Sequence, residues 1–186
     1  MLEFDFSPFP ELHTSRMLLR QMNSGDAHMM WIMRSSEEVM KYLEKPRAQN
    51  LEDAMEIIQK TNDSLLKNEG IAWAMCLHEA PAMIGTIGYW RSNPAHHRAE
   101  VGYLLHPDYW NKGLVAEAMI AVLRYGFEVM GLHSVEAHIN PRNEPSSKVL
   151  ARAGFVREAL FRENYYFNGK FSDTAVYSLL AKDFRD

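Results

Sequence analysis

The sequence lacks the features that would direct a protein to a membrane or a secretory pathway. The single Cys76 cannot form an internal disulfide and stands in the apolar run IAWAMCL with no neighbouring base. The opening MLEFDFSPFPEL has neither a basic start nor an apolar run. The most apolar helical stretch, residues 114–123, is interrupted by Glu117 and falls short of the roughly 20 residues that span a bilayer. We therefore expect a cytoplasmic protein with no membrane partner and a buried, unreactive cysteine.

Positive charge and metal-ligand spacing are scarce as well. The 20 lysines and arginines are outnumbered by 24 aspartates and glutamates, the formal net charge is −4, and no basic run occurs, so we expect no nucleic acid partner. His96 and His97 are adjacent, and His106, His133 and His138 lack the spacing of a ligand pair with Cys, Asp or Glu. We therefore expect no metal.

What the chain does have is enough apolar surface for a packed core. Hydrophobic residues make up 47% of its 186 residues, which is more than a disordered chain carries. No repeat, low-complexity tract or linker divides the sequence. We expect a single domain that covers residues 1–186.

Apolar periodicity in the first third of the chain predicts a strand and then helices. Residues 12–21 alternate loosely and predict a first strand, after which Ser24 and Asp26 can cap a pair of helices. Asn50 can cap the next helix, which a turn at residues 68–70 would end. The expected apolar stripe of that helix consists of Leu51, Met55, Ile58 and Leu65.

The rest of the chain alternates between strand and helix patterns. Strands are expected at residues 71–78, 83–91, 99–106, 134–139, 155–167 and 171–180, and helices at residues 115–130 and 146–153. Short gaps between the first three of these strands imply an antiparallel meander, and Asn168-Gly169 is a two-residue signal for a hairpin. The predicted fold class is α+β, with a mixed, mostly antiparallel central sheet flanked by helices.

The most informative segment is EVGYLLHPDYWNKGLVAE, residues 100–117. A strand, a loop with Gly113 and the start of a helix would turn several backbone N–H groups toward one point, a geometry that suits a pyrophosphate. Lys112 can add a positive charge. Leu114 stands where a nucleotide P-loop needs Ser or Thr, which argues against that motif. From these residues alone, a purely structural turn is an open alternative.

LLHPDYWNKGLVAEA resembles the acetyl-CoA loop of the GCN5-related N-acetyltransferases (GNAT), and specifically of their RimJ/RimL-like branch of ribosomal-protein N-terminal acetyltransferases. LHTSRMLLR, AEVGYLLHPDYW, YGFEVMGLHSVEAHINPRNEPSSKVLARAGF and NGKFSDTAVYSLL carry the same resemblance in the same order. It implies the GNAT fold and transfer of acetyl from acetyl-CoA to a primary amine by direct attack in a ternary complex.

The branch suggests that the acceptor is a protein N-terminal α-amine. A small-molecule amine and a noncatalytic acyl-CoA-binding module are the alternatives, and a homodimer is left open. The net negative charge would modestly attract a cationic acceptor.

The resemblance also implies where the cosubstrate binds. The pantetheine arm would lie along the strand end at Leu104 and Leu105 and pair with its backbone. The loop departs from the family pattern at Trp110 and at Val115, whose branched side chain would crowd the first helical turn. The pyrophosphate would meet the backbone amides of Asn111, Lys112, Gly113, Leu114, Val115 and Ala116.

Asn143 and Ser146 match an Asn-x-x-Ser pair that faces the cofactor near its thioester in this family. Asn143 can equally cap the short helix that begins nearby, and the two roles are compatible. Leu150 stands where many relatives carry a tyrosine that protonates the thiolate. That role would fall to Ser146, to a tyrosine elsewhere or to solvent, and the resemblance makes Ser146 the leading candidate to donate a hydrogen bond to the thiolate.

An amine attacks a thioester only when its lone pair is free, so the site must position a neutral amine or deprotonate it. A carboxylate that faces the cleft fits that need, and a water-relayed or purely positional mechanism is the alternative. Glu100 and Glu136 are the candidates because each lies on a strand beside the proposed slot, although either could decorate a solvent-facing strand. His138 shares the Glu136 face. Tyr165 and Tyr166 could line the acceptor cleft or pack against cross-strand partners.

Overall fold

The computed structural model of the protein describes residues 2–185, in which eight strands form one sheet with helices on both faces. The strands are β1 (Leu12–His13), β2 (Met17–Gln21), β3 (Ile71–Leu77), β4 (Ala80–Asn93), β5 (Arg98–Leu105), β6 (Ser134–Ile139), β7 (Val156–Phe167) and β8 (Lys170–Leu180). The helices are α1 (Ala27–Ser35), α2 (Glu37–Met40), α3 (Leu51–Leu66), α4 (Leu114–Arg124) and α5 (Glu144–Arg152).

The strands lie in the order β1-β2-β3-β4-β5-β6-β8-β7. Each neighbouring pair is antiparallel except β5 and β6, which are parallel. The predicted α+β class, the meander of β3, β4 and β5, and the β7–β8 hairpin are confirmed. Asn168 and Gly169 form the hairpin turn with φ of 47° and 76°, the left-handed conformations that a tight two-residue turn requires.

The predicted first strand, residues 12–21, is wrong as a single element. It consists of β1 and β2, which pair with each other in an antiparallel hairpin. Thr14 closes the turn between them, because its backbone N–H donates to the carbonyl of Met17 and its hydroxyl accepts from the Met17 N–H at 3.0 Å. A threonine side chain that competes for local backbone groups therefore breaks the strand.

The predicted helix caps at Ser24 and Asp26 are also wrong. Asn23 caps a short 3₁₀ turn, and the Asp26 carboxylate accepts from the Asn23 N–H at 2.9 Å while it pairs with Arg20 at 2.7 Å. Ser36 then caps α2. Asp26 stands at the N-cap position of α1 but makes no side-chain cap hydrogen bond to that helix, because its nearly buried carboxylate is used in the ion pair with Arg20.

Helix α3 begins where expected, since the Asn50 side chain accepts from the Asp53 N–H at 2.9 Å. Its predicted stripe is half wrong: Ile58 and Leu65 are buried, but Leu51 and Met55 are 41% and 48% exposed. Ala54 and Thr61 complete the buried face. Leu51 and Met55 lie roughly 60–100° around the helix from that face, beyond its contact with the sheet.

The predicted helix at residues 115–130 changes geometry near its end. Helix α4 stops at Arg124 and continues as a π-helical turn, Tyr125–Val129. Tyr89 of β4 is fully buried, and its hydroxyl donates to the carbonyl of Val122 at 2.9 Å. A side chain that enters the hydrogen-bond ladder of a helix shifts the turns that follow. Gly131, with φ of 70°, then ends the segment as predicted.

The core has two parts, one on each face of the sheet. Helix α4 covers one face, and α1 and α3 cover the other. Cys76 is buried under α1 and α3, as expected, and burial raises the pKa of its thiol. The α4 face includes Ile87, Tyr89, Val101, Ala118, Met119, Val122 and Val135. The opposite face includes Met30, Met33, Ala54, Ile58, Ala72, Ala74 and Met83.

Gly126→Ala should destabilise the protein, because an added Cβ would lie far inside van der Waals distance of the Tyr89 hydroxyl oxygen. We expect a loss of about 1–3 kcal/mol in the free energy of unfolding, measured by urea titration. Combining it with Tyr89→Phe removes the closest clashing atom, so the double variant should lose less than the sum of the two single losses. Additive losses would contradict this account.

Candidate functional site

Strands β5 and β6 lie side by side but pair over only their first three residues. Residues 98–100 pair with residues 134–136. Beyond them β5 continues to Leu105 and β6 to Ile139, but the two strands no longer pair with each other. The register of β4 against β5 shifts between Tyr89 and Arg91, so a β-bulge faces the point where the pairing ends. Since bulges bend and twist a strand, this one accounts for the divergence of β5 from β6.

The backbone groups of β5 that face the resulting gap follow from the ladder. In an antiparallel ladder every second residue forms a hydrogen-bonded pair with the neighbouring strand. The His106 N–H donates to the Ile84 carbonyl at 2.9 Å, so Leu104, two residues earlier, also bonds to β4. Because successive residues of a strand direct their backbone groups to opposite neighbours, the N–H and C=O groups of Val101, Tyr103 and Leu105 point into the gap. The expectation that Leu104 offers its backbone to a ligand is therefore corrected.

Hydrogen bonds also fix which backbone groups of β6 and of the end of β5 are open to a ligand. The Ala181 N–H donates to the carbonyl of His133 at 2.9 Å, which makes these two a hydrogen-bonded pair and directs the backbone of His138 into the gap. The Leu105 carbonyl already accepts from Trp110 Nε1 at 2.8 Å. An extended ligand with amide groups could thus pair with Val101, Tyr103 and His138.

Beyond the open end of this gap, six consecutive backbone amides have no acceptor. Within residues 2–185, the N–H groups of residues 111–116 form no hydrogen bond. Gly113 is left-handed, with φ of 75°, and precedes α4 without a side-chain cap. The amides of Leu114, Val115 and Ala116 belong to the first turn of α4, where the helix dipole adds partial positive charge. The predicted loop residues are therefore brought together in a form that fits a pyrophosphate.

Arg16, which the sequence analysis did not single out, fastens this loop to the helix. Its Nη1 donates to the Lys112 carbonyl at 2.9 Å, and its Nε and backbone N–H donate to the two carboxylate oxygens of Glu117 at 2.7 and 2.8 Å. Burial acts to raise the pKa of Glu117, but hydrogen bonds from Thr14 and Arg16 outweigh it and hold that pKa below its ordinary value. The signal was present in LHTSRMLLR, a segment that carries the family resemblance.

The two departures from the family loop pattern have structural roles. Trp110 holds the loop against the end of β5 through its indole N–H. Val115 packs against the main core, so its branched side chain contacts apolar residues. Lys112 is exposed, with Nζ 5.4 Å from the centre of the Tyr109 ring. Within residues 2–185, none of these three side chains accepts a hydrogen bond from the loop amides.

Glu100 and Glu136 are register partners in the last pair before the gap opens. Their side chains are 17% and 24% exposed, and they share the face opposite α4. Arg91 lies 3.1 Å from Glu100, and Arg98 lies 2.7 Å from Glu136. His138 Nε2 is 3.6 Å from the same Glu136 oxygen. The structure therefore brings both predicted carboxylates and His138 together at the apex of the gap.

The start of α5 places a phenol beside Ser146. Asn143 caps the helix, because its side chain accepts from the Ser146 N–H at 3.2 Å. The Tyr103 hydroxyl donates to the Ser146 carbonyl at 3.4 Å across the gap. Burial raises the pKa of Tyr103 to about 12. Leu150 is fully buried. Sequence reasoning missed Tyr103, although it lies in AEVGY between Glu100 and the strand end.

The segment 41–50, which we call the anchored loop, lies beside the gap. Asn140, just after β6, donates to the Glu44 carboxylate at 2.9 Å, and the Tyr165 hydroxyl donates to the Glu44 carbonyl at 3.1 Å. Tyr166 instead packs on its register partner Phe171, with ring centres 4.9 Å apart. Of the two predicted cleft tyrosines, Tyr165 is therefore the one that contacts this loop.

Residues 2–185 contain no group of three or more His, Cys, Asp or Glu side chains arranged to hold a metal ion. In the same part of the chain, no helix combines the length and apolarity needed to cross a membrane.

Comparison with known proteins identifies this arrangement. A family profile described as "Acetyltransferase (GNAT) domain" matches residues 16–156. The chain is 34% identical over 172 residues to the uncharacterized N-acetyltransferase YoaA of Bacillus subtilis, covering 92% of this chain and 97% of that protein. It is 30% identical over 87 residues to the ribosomal protein uS5-alanine N-acetyltransferase of Escherichia coli, covering 47% of this chain and 45% of that protein.

A solved structure agrees with the fold. The crystal structure of a ribosomal-protein-S5-alanine acetyltransferase from Vibrio fischeri superposes with a TM-score of 0.81 at 25% identity, covering 95% of this chain and 100% of that one. The β5–β6 gap and the loop before α4 lie within residues 16–156, which the family profile matches. The chain belongs to the GNAT acetyltransferase family, as an N-acetyltransferase that takes its acetyl group from acetyl-CoA.

Proposed function

We propose that the protein transfers acetyl from acetyl-CoA to a protein N-terminal α-amine, by direct attack in a ternary complex. The likeness to two ribosomal-protein alanine acetyltransferases supports this acceptor class. The observation that carries the proposed geometry is the β5–β6 gap, which has unpaired amides at its open end and two carboxylates at its apex. A donor that spans the gap would bring its thioester toward those carboxylates.

The donor would be held by backbone groups of this chain. The amides of residues 111–116 and the Lys112 ammonium would bind the pyrophosphate. Backbone groups of Val101, Tyr103 and His138 would pair with the two amides of the pantetheine arm, as in an added strand. This replaces the expected contact with the Leu104 backbone.

The proton chemistry would fall to residues at the apex. Glu100 or Glu136 would take a proton from the acceptor ammonium, which frees the nitrogen lone pair. The nitrogen would then attack the thioester carbonyl carbon, and the C–S bond would break. The thiolate sulfur would take a proton from the Tyr103 hydroxyl, or from solvent while Ser146 donates a hydrogen bond to it. The extra proton on the nitrogen would pass to the Tyr103 phenolate or to solvent, which leaves a neutral amide and a neutral thiol. With a pKa of about 12, Tyr103 would remain protonated at neutral pH and able to donate.

The acceptor class is tested by thiol release from acetyl-CoA with a panel of amines. Peptides with N-terminal alanine or serine should give faster acceptor-dependent release than the same peptides with blocked N-termini, lysine side-chain amines or polyamines. Mass spectrometry should place the acetyl group on the α-nitrogen. Preferred turnover of a polyamine would overturn the proposed acceptor, and no acceptor-dependent release would favour a noncatalytic acyl-CoA-binding module.

Arg16→Gln should weaken coenzyme A binding, because the loop would lose its bonds to Arg16 at Lys112 and Glu117. We expect the Kd from calorimetry to rise about threefold to tenfold. Lys60→Gln is the matched control, since it removes one cation from an exposed pair on α3. An unchanged Kd in Arg16→Gln would contradict the role of the tether.

Glu117→Gln tests the same tether through pH. Because the pKa of Glu117 is lowered in the folded state, its stabilising contribution is present above the ordinary glutamate pKa and is lost as pH falls through the lowered value. Wild type should therefore exceed Glu117→Gln in thermal midpoint near neutral pH, and the difference should shrink in acid. A difference that stays constant with pH would show that the carboxylate charge is not involved.

Glu100→Gln and Glu136→Gln test the proposed base. Loss of a general base should lower kcat about 10²–10⁴-fold at neutral pH, with rate recovered as pH approaches the pKa of the acceptor amine. Glu128→Gln, on the exposed π-helical turn, is the matched control. If both variants keep the wild-type rate and the same alkaline rise, neither carboxylate deprotonates the amine.

Tyr103→Phe tests the proposed acid. The rate constant kcat should fall by about tenfold to a thousandfold, and by the same factor at every pH between about 6 and 9, because the raised pKa keeps the phenol protonated throughout. Tyr166→Phe on the exposed hairpin is the control. An increase in KM with kcat unchanged would assign Tyr103 to binding instead.

A further inference from the structure

Positive charge is in excess on the face of the gap that bears the two glutamates. The charges of Arg34 and Arg91 lower the pKa of the Lys45 ammonium, and the charge of Glu100 raises it. Arg91 pairs with Glu100 at 3.1 Å. Within residues 2–185, neither Arg34 nor Lys45 has an ion pair or a side-chain hydrogen bond. Two cations therefore lie on this side of the gap without an ion-pair partner, and the nearby carboxylates are those of Glu44 and Glu100.

The anchored loop fixes these two cations in place. The Ala48 N–H donates to the Arg34 carbonyl at 3.0 Å, which ties the loop to the last turn of α1. Glu44 is held at the other side by Asn140, at 2.9 Å. Lys45 directly follows Glu44, and its own N–H donates to the Leu43 carbonyl at 2.8 Å. The loop thus holds Lys45 between α1 and the end of β6, where the charge of Glu100 acts on its ammonium.

Two buried N–H donors in the same region lack an acceptor. Trp31 Nε1 and Arg34 Nε are both withdrawn from solvent without a hydrogen-bond partner. They lie three residues apart on α1 and so on one side of the helix. A buried donor left unpaired is unfavourable, and what satisfies it is an oxygen acceptor. These two donors are therefore available to a ligand oxygen.

The pKa values of Arg34 and Lys45 are both lowered, as expected for cations that are partly withdrawn from solvent. Burial lowers the pKa of Arg34. Although Lys45 is exposed as a residue, partial burial of its ammonium group lowers its pKa, and the charges of Arg34 and Arg91 lower it further. An anion bound between them would oppose the effect of the neighbouring charges.

We propose that Arg34 and Lys45 form a carboxylate-binding subsite in the acceptor cleft, so that the preferred acceptor is an amine that also carries a carboxylate. This inference rests on the proposed acetyl transfer at the apex. The carboxylate comes either from the side chain of an acidic residue near a peptide N-terminus or from the α-carboxyl group of a free amino acid. A guanidinium beside an ammonium suits a planar carboxylate, since the guanidinium can bind both of its oxygens.

Matched acceptors that differ only by carboxylate or amide test the subsite. One pair is the peptide amides Ala-Asp-Ala-Phe and Ala-Asn-Ala-Phe, and the other is L-alanine and L-alaninamide. Wild type should show kcat/KM at least about tenfold higher for the carboxylate member of one pair. Lys45→Gln and Arg34→Gln should each remove most of that preference through KM for the acceptor, with KM for acetyl-CoA unchanged.

Lys41→Gln is the matched control, because it removes an exposed cation from the same loop and should leave the preference intact. Thermal midpoints of all variants are measured first. If Arg34→Gln does not fold, Lys45→Gln on the exposed loop carries the test. Equal kcat/KM for both members of both pairs in wild type would overturn the subsite, as would a preference that persists in Lys45→Gln.

Binding of the acetylated products separates this proposal from the proposed function. Calorimetry with coenzyme A-loaded protein compares N-acetyl-alanine with N-acetyl-alaninamide, and the acetylated peptides with each other, and needs no turnover. Carboxylate-selective binding that Lys45→Gln abolishes supports the subsite, whether or not peptides are acetylated at the N-terminus. Failure to acetylate any N-terminal peptide overturns only the proposed acceptor. A preference confined to free alanine supports the subsite and overturns the N-terminal acceptor. Indifference to the carboxylate overturns the subsite.

Discussion

The point at which β5 and β6 stop pairing determines where ligands can bind in this molecule. Hydrogen bonds along the full length of both strands would satisfy the backbone of Val101, Tyr103 and His138 within the sheet, and no slot would remain. The bulge in β4 opposite Glu100 and Val101 bends β5 away at the same level. Trp90, the extra residue of that bulge, lies so close to Gly102 that a Cβ there would be 2.8 Å from its indole nitrogen. A small residue at position 102 is therefore part of the same constraint.

The same point fixes the electrostatics of the proposed reaction. Glu100 and Glu136 are held side by side because they form the last register pair, and adjacent like charges repel each other. Each has an arginine partner from a different position, Arg91 on β4 and Arg98 at the start of β5. These partners place one guanidinium against each of the two adjacent carboxylates at the apex.

Local sequence patterns predicted the elements that depend on local chemistry. The Asn50 cap, the Asn168-Gly169 turn and the glycine before α4 each follow from one or two residues with strong conformational preferences. The loop before α4 and the two glutamates could likewise be assigned by position. The turn at Thr14 and the inward-facing Asp26 could not, because the first depends on a side chain competing with a strand ladder and the second on Arg20 as its partner.

Long-range contacts account for most of what the sequence did not reveal at the site. Arg16 meets Lys112 and Glu117 across about one hundred residues of chain, and Tyr103 meets Ser146 across the gap. No periodicity encodes such pairs. Leu104 was misassigned for a subtler reason: the direction of its backbone groups depends on which residues of β4 and β5 form hydrogen-bonded pairs, and a shift of one residue reverses it.

The distribution of charge shows why whole-chain composition is a poor guide to the acceptor. A formal net charge of −4 favours a cationic acceptor in the approach from solvent. Once an acceptor lies in the cleft, charges farther than a Debye length of about 8 Å are largely screened, whereas partly buried groups nearby are screened much less. There the cations are Arg34, Lys45 and Arg91 and the carboxylates are Glu44 and Glu100, since Arg98 and Glu136 offset each other. A reactive amine must also come close to a carboxylate base, so the two requirements fit one molecule best when its amine faces the glutamates and its anionic group faces the anchored loop.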